Sequence, residues 1–294
     1  MRVFMTGATG MVGTAVVREL HRSGHEVLGL ARSDAAAAKL TGAGVTVQRG
    51  SLTDLDSLRE GAARADAVIH TAFVHDFTDF EGAVATDRRA VEALCEALAG
   101  SGAPLLVTSG TPGDGATEET VPPLDSIAAG RFATEELAMS YVDRGVRVSI
   151  VRLPRSVHGP EDESGFVPAM IRTARESGVS AYVGEGSTHF SAVHLHDAAR
   201  LYLLALHAAP AGARLHALGD GALPHREIAA TIGRRLGLPV TSVPPERATE
   251  HFGFLGMILA SDHSASAEAT TERFGWKPEQ PGLLEDLEQE HYFS

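Results

Sequence analysis

Apolar and polar positions follow two rhythms along the first half of the chain. Short runs that are apolar nearly throughout occur at VFM (3–5), EVLGL (26–30), VTVQ (45–48), AVIHT (67–71), PLLVTS (104–109) and VRVSIVRL (146–153). Longer alanine-rich stretches lie between them, near 11–23, 34–42, 54–63, 83–100 and 126–144. A short run without a polar face suits a strand buried on both sides, and the longer stretches suit helices. Their alternation predicts a parallel sheet covered on both faces, an α/β fold. Gly24 and Gly145 fall just before the next strand, where helix C-caps belong.

The rhythm loosens after about residue 155. Helical stretches at 165–177, 196–208 and 224–237 are separated by loops containing Gly and Pro. The expected organisation is a nucleotide-binding domain over 1–155 and a smaller lobe over 156–294, with segments interleaved between lobe and sheet.

Composition narrows the partners. The 294 residues are 44% hydrophobic and 21% charged, as in a globular protein able to bury a full core. The net charge of −13 disfavours nucleic acid and anionic membranes, so an anionic ligand needs locally placed N–H groups and arginines. A single cysteine, Cys95, excludes intrachain disulfides and fits a reducing compartment. No signal peptide or membrane-length apolar run is visible, so the cytoplasm is the expected location.

MTGATGMVGTA follows the first strand and opens the first helix, with Gly7, Gly10 and Gly13 spaced three apart. In such a turn the first glycine permits the tight bend, the second admits a pyrophosphate, and the third lets helix and strand pack closely. Thr9, Met11 and Val12 then present backbone at the helix start, where N–H groups and the dipole favour phosphate. A glycine-rich turn that binds nothing is the bland alternative. The second strand ends in GLARSD, which puts Arg32 and Ser33 where an adenosine ribose is read. A guanidinium there suits a 2′-phosphate, so NADP is expected over NAD, with Asp34 close enough to oppose it.

TGATGMVG, GSLTD (50–54), VIHTA (68–72), LLVTSG (105–110) and RLPRSVHGP (152–160) occur in this order, followed by FSAVHLHDAARLYLLAL (190–206) and ERFGWKPEQPGLLEDL (272–287). Together they resemble the extended short-chain dehydrogenase/reductases, which include NAD(P)-dependent sugar epimerases and dehydratases. The resemblance implies a Rossmann sheet with a C-terminal substrate lobe, a nicotinamide cofactor and a homodimer. It places Ser51 and Leu52 beside the adenine, and Thr71, Ala72 and Phe73 on the ribose–nicotinamide side. Leu153, Pro154, Ser156 and Val157 would approach the carboxamide.

That family catalyses with Tyr-x-x-x-Lys on a helix and a Ser or Thr after the fifth strand. The lysines here are Lys39 and Lys277, preceded four residues back by Ala35 and Arg273, so the motif is absent. An acid often follows the family's lysine by four residues. This puts Arg131, four before Glu135, at the lysine position, Ile127 at the tyrosine and Gly110 at the serine. Arg131 then either reaches the nicotinamide ribose or a substrate anion, or pairs with Glu135 on an exposed helix face for a few tenths of a kcal/mol.

Ser109 and Thr111 flank Gly110 at the carboxyl end of a strand, where ligands of open α/β sheets bind. Either is a candidate to hold a substrate oxygen, or else a turn residue bonding its own backbone. His158 stands where the family has a tyrosine and is a candidate acid, with a packed loop histidine as the alternative; His75 beyond the fourth strand is similar. Phe166, Met170, Tyr182 and Phe190 are candidate lining for a substrate pocket, or lobe core. His194 and His196 are expected to alternate along an extended VHLHD, with no metal there.

These readings converge on an NADP(H)-dependent oxidoreductase for a small carbonyl-type substrate, working without the usual relay. The alternatives are a non-catalytic NADP(H)-binding sensor or regulator, and a non-redox isomerase or cyclase on the same fold.

Overall fold

Each of the six apolar runs of the first half forms a strand. The computed structural model describes residues 1–74, 79–122 and 129–294. In chain order the first elements are β1 (Arg2–Thr6), α1 (Met11–Arg22), β2 (Glu26–Ala31), α2 (Asp34–Gly42), β3 (Thr46–Arg49), α3 (Leu55–Ala63) and β4 (Ala67–His70). There follow α4 (Phe80–Leu98), β5 (Pro104–Gly110), α5 (Ala129–Met139), β6 (Arg147–Leu153), β7 (Ser156–His158), α6 (Phe166–Ser177), β8 (Ser180–Val183), β9 (His189–His194) and α7 (Leu195–Ala208). The chain ends with β10 (Ala213–His216), β11 (Asp220–Pro224), α8 (His225–Leu236), β12 (Val240–Val243) and four short helices. These are α9 (Ala248–Phe252), α10 (Leu255–Leu259), α11 (Glu268–Phe274) and α12 (Leu283–Asp286). Among the described residues no helix is long and apolar enough to cross a membrane.

Two compact units are built from interleaved segments. The first comprises Met1–Gly110, Val121–Arg152 and Ala199–Leu215; the second comprises Thr111–Thr120, Leu153–Ala198 and His216–Ser294. The seven-stranded sheet runs β10-β6-β5-β4-β1-β2-β3, the doubly wound order. β1 pairs in parallel with both β2 and β4, so the winding reverses between β1 and β4. One face of the core joins Phe4, Leu28 and Val68 of the sheet to Leu58 of α3 and to Val91, Leu94 and Cys95 of α4. Burial pushes the Cys95 thiol up to about 12, so it packs as an inert apolar group.

α4 starts three residues before the expected boundary because the Asp79 carboxylate caps it, accepting from the Gly82 N–H at 3.0 Å. α5 stops at Met139, short of the expected 144. Tyr141 and Val142 turn back to Ala138 and Met139 in tighter i→i+3 bonds, and the Ser140 hydroxyl takes the Leu137 carbonyl. Its expected first residues, 126–128, lie outside the described residues.

The second unit contains a three-stranded sheet, β11-β9-β7, and the β8–β12 pair. Its core gathers Val167, Met170, Phe190, Ile228, Ile232, Phe252 and Leu283. His194 ends β9 while His196 lies within α7, so the two do not alternate along one strand as expected. Instead the His196 N–H donates to His194 Nδ1 (3.2 Å), a local helix-start contact.

Candidate functional site

The turn after β1 is shaped by backbone. Gly7 has φ of +72°, a left-handed conformation that L side chains rarely adopt, and a Cβ there would lie 2.6 Å from the Ala72 nitrogen. At Gly13 a Cβ would sit 2.0 Å from the Gly7 carbonyl oxygen, so α1 packs on the turn only without a side chain. Gly10 differs: a Cβ there meets nothing closer than the Gly7 oxygen at 3.4 Å. The chain's own packing tolerates a methyl group at Gly10, so that glycine keeps clear the space in front of it.

That space is a cavity of about 640 Å³ at the carboxyl ends of β1 to β4, where the sheet reverses. Gly7, Thr9 and Gly10 line it after β1, Arg32 after β2, Gly50 to Thr53 after β3, and Thr71 to Val74 after β4. α1 has no side-chain cap at Gly10, so the N–H groups of Met11 and Val12 stand at the positive end of the helix dipole. A pyrophosphate fits these groups. Lys39 reaches the same turn, its Nζ donating to the Thr9 carbonyl at 2.7 Å.

At the far end of the cavity, Asp34 does not oppose Arg32. Its carboxylate takes the guanidinium of Arg49, which also donates from Nη1 to the Ser33 carbonyl at 2.7 Å. Arg32 is exposed at the cavity edge and has no carboxylate partner among the described residues. Ser33 caps α2, its hydroxyl accepting from the Ala36 N–H at 3.2 Å. Ser51 and Leu52 line the cavity, with the Ser51 hydroxyl on Thr53 at 3.0 Å. The placing of Arg49 and Lys39 was not readable from spacing, because each arrives from a different βα unit.

The floor beneath the turn is a buried polar chain that sequence reasoning missed. His70 Nδ1 lies 2.8 Å from the Thr6 hydroxyl, and His70 Nε2 lies 3.0 Å from Asp87 of α4. The Thr6 hydroxyl also accepts from the Ala72 N–H (3.3 Å), and the Thr71 hydroxyl donates to the Thr6 carbonyl (2.9 Å). Donation from Ala72 turns the Thr6 proton toward His70, whose other nitrogen then serves Asp87. The chain fastens β1, β4 and α4 around the cavity wall.

Arg131 reaches that wall. Its guanidinium stacks 4.1 Å from the centre of the Phe73 ring, a cation–π contact, and Nη2 donates to the Thr108 carbonyl at 3.0 Å. It does not pair with Glu135 on a helix surface, which was the alternative to a site role. Glu135 is 1% exposed and receives Arg152, also 1% exposed, through Nη2 at 2.7 Å and Nε at 3.1 Å. A buried carboxylate takes the cation that desolvates with it, and the i,i+4 neighbour is left to the cavity side. Gly130 brings α5 close to α4, where a Cβ would meet Val84 at 2.7 Å. Near Arg131, the hydroxyls of Thr108 and Tyr202 lie 2.6 Å apart, and burial pushes the Tyr202 phenol well above its ordinary range. Ser109 Oγ is buried and has no hydrogen-bond partner among the described residues.

Other candidates fall in the second unit. Thr111 Oγ1 and Ser156 Oγ are buried and also lack partners among the described residues. Leu153 ends β6, Pro154 lies in the β6–β7 connection and Val157 is the middle residue of β7. His158 is wholly buried, its Nδ1 bonded to Asp286 at 2.8 Å and its ring edge-on to His194. It is a packed histidine, not an accessible acid. Met170 and Phe190 are core residues, with Phe166 edge-on to Phe190 at 6.4 Å, and Tyr182 carries Arg226 over its ring. Burial makes Met170 and Phe190 core, not open pocket lining, while Phe166 is partly buried against that core. His75 and Ile127 lie outside the described residues.

A sequence model of the NAD dependent epimerase/dehydratase family matches residues 3–217. An uncharacterized protein of Schizosaccharomyces pombe is 46% identical over 100% of both chains. The 2-alkyl-3-oxoalkanoate reductase of Stenotrophomonas maltophilia is 28% identical over 81% of this chain and 77% of its own. The crystal structure of the dTDP-glucose 4,6-dehydratase DesIV of Streptomyces venezuelae, solved with NAD bound, has the same fold. It superposes with a TM-score of 0.78 at 21% identity, over 100% of this chain and 97% of that one.

Proposed function

This chain belongs to the NAD dependent epimerase/dehydratase family, and from that premise we propose that it is an NADP(H)-dependent oxidoreductase acting on a small carbonyl compound. The observation that carries the reading is the cavity at the sheet reversal, kept open by Gly10 and ending at Arg32. Bound there, the nicotinamide cofactor supplies or accepts hydride. Gly7, Gly10 and the uncapped start of α1 hold the pyrophosphate, while Arg32 takes the adenosine 2′-phosphate with its planar fork. Thr71, Ala72 and Phe73 flank the nicotinamide half.

Arg131 is the site cation in this reading, fixed by the Phe73 face and the Thr108 carbonyl. Those contacts use only part of the guanidinium, and its other N–H groups polarise the acceptor oxygen or hold the nicotinamide ribose. The unpartnered Ser109 hydroxyl is the second candidate to meet the substrate oxygen. His158 has no role here, since it is wholly buried and Asp286 holds its Nδ1. The reductase among the relatives supports carbonyl reduction as the reaction type. A homodimer in the cytoplasm belongs to the same reading, in line with the lone buried thiol of Cys95.

The test is a fluorescence titration with NADPH and NADH, followed by cofactor oxidation against a panel of small aldehydes and ketones. NADPH is expected to bind more tightly, and Arg32→Ala to cost about ten- to a hundredfold for NADPH alone. Equal affinity for both cofactors with Arg32→Ala unchanged would sink the NADP assignment. Cofactor binding without oxidation by any carbonyl compound would sink the reductase assignment.

A further inference from the structure

Between β6 and β7 a partly buried guanidinium has no carboxylate partner among the described residues. Arg155 is half-buried; its backbone N–H donates to Ser191 Oγ at 3.3 Å, and its Nη1 donates to the Ile258 carbonyl at 3.1 Å. No carboxylate pairs with it among the described residues. Burial alone pulls it down to about 10, a large displacement for a side chain ordinarily charged at every working pH.

The contrast with Arg152 is direct. Arg152 is buried and meets the carboxylate of Glu135 through two of its nitrogens, the usual condition for a desolvated arginine. Arg155 has one neutral carbonyl. Asp262, the acid beside His263, is already saturated. Its Oδ2 accepts from the His189 N–H (3.0 Å) and Nδ1 (2.6 Å), and its Oδ1 from the Ser264 N–H (2.9 Å) and hydroxyl (2.6 Å). His263 itself feels the uncompensated charge: burial first, then Arg155, pushes it down to about 3. Its ring is therefore neutral, and its Nδ1 is buried with no partner among the described residues.

We propose that Arg155 anchors a binding site for a small oxyanion, a carboxylate or a phosphate, with the His263 imidazole as a neighbouring hydrogen-bonding group. The Ile258 carbonyl uses one N–H and fixes the side chain, leaving the rest of the fork to take two oxygens in parallel. The anion supplies the charge that the fold withholds. A chain with a net charge of −13 repels anions at long range, so binding one depends on such a local, partly desolvated cation.

The test uses the full chain at constant ionic strength, adding inorganic phosphate or acetate while following arginine Nε–H signals by NMR. The Arg155 signal, identified by its loss in Arg155→Gln, is expected to shift saturably with one of the anions. A response to acetate alone assigns a carboxylate ligand, and to phosphate alone a phosphate. Arg155→Gln should weaken that binding about ten- to a hundredfold, and Arg155→Lys should not restore it, because an ammonium lacks the fork. Without added anion, Arg155→Gln should melt no lower than the wild type, since an uncompensated cation has been removed. No saturable shift with either anion overturns the proposal, as does an undiminished response in Arg155→Gln. A lower melting temperature in that variant, with no anion effect in the wild type, makes Arg155 a structural tie to Ile258. If Arg155→Gln does not fold, Arg155→Lys identifies the signal and the wild-type titration decides.

Discussion

Gly10 and Gly13 stand three residues apart in one turn, yet an added methyl group meets different surroundings at each. At Gly13 it collides with backbone, so Gly13→Ala should cost about 1–3 kcal/mol or more in stability, read as a lower urea midpoint. At Gly10 it finds room and a backbone that any residue adopts, so Gly10→Ala should fold normally and lose cofactor binding. Normal binding by Gly10→Ala would mean that the cavity does not seat a pyrophosphate. Arg131 belongs to the same scale. Arg131→Ala should weaken cofactor or substrate binding about ten- to a hundredfold, the loss of a charge-assisted hydrogen bond. Arg131→Lys should recover a ribose-holding role but not a bidentate one. Glu135→Ala is no neutral control, because it strands Arg152 in the interior at a cost of about 3–5 kcal/mol. The exposed Glu136 serves instead, and Glu136→Ala should change stability by about a few tenths of a kcal/mol. If Arg131→Ala binds like the wild type, Arg131 is only a helix residue. Glycine spacing was legible because backbone geometry is local. The partner of Glu135 was not, because burial, which the spacing does not reveal, selects among several possible cations. The partner of the exposed Asp34 was not, because Arg49 arrives from another βα unit.

Elements were legible where burial is two-sided. β1, β2, β4, β5 and β6 carry side chains covered on both faces, so their sequences are apolar nearly throughout and stand out from the helices, whereas the edge strand β3 is exposed at Thr46 and Arg49. β10 hides for the opposite reason: it is four residues long, follows Gly212, and carries Arg214, which serves Glu135 and Glu136. The short strands of the second unit are likewise bounded by Gly and Pro and have no sustained period. α8 was legible as a helical stretch at 224–237, but its first residue has a consequence that the sequence pattern does not carry. His225 is 1% exposed, neither ring nitrogen has a partner among the described residues, and burial lowers it from the usual 6.5 to about 4. The unfolded chain therefore binds this proton at a higher pH than the folded one. Stability should fall as the pH drops from 6.5 toward 4, by about 2–3 kcal/mol from this histidine near the lower end. His194 and His263 are also lowered by burial and act with the same sign, so the measurement is a difference. Urea midpoints for the wild type and His225→Leu should converge, or cross, as the medium is acidified. A constant gap between the two would show that His225 is protonated equally in both states.

At the scale of the molecule, the first unit presents a helical surface whose inner packing is already settled. Gly130 of α5 sits against Val84 of α4, and the buried side of α4 is committed to the core through Ala90, Val91 and Leu94. The outer side of α4 exposes Glu81, Ala85, Arg88 and Arg89, acids and bases on one helix face. In an isologous dimer that face meets its own copy in reverse, which brings acid ends toward basic ones and Ala85 toward the axis. We therefore expect a homodimer through α4 and α5, and a sedimentation mass close to twice 30.9 kDa. The charge makes the prediction sharper. Each copy carries a net charge of −13, so association must overcome long-range repulsion that salt screens. Local acid–base contacts on α4 would be weakened by the same salt. If repulsion dominates, the dimer tightens as ionic strength rises from low values; if the helix-face pairs dominate, it loosens. Replacing Arg88 and Arg89 together by Glu makes the face wholly acidic, and it should yield monomer in either case while leaving cofactor affinity unchanged. A wild-type mass near 30.9 kDa at micromolar concentration would refute the dimer, and an unaffected dimer in the double variant would move the interface to another face.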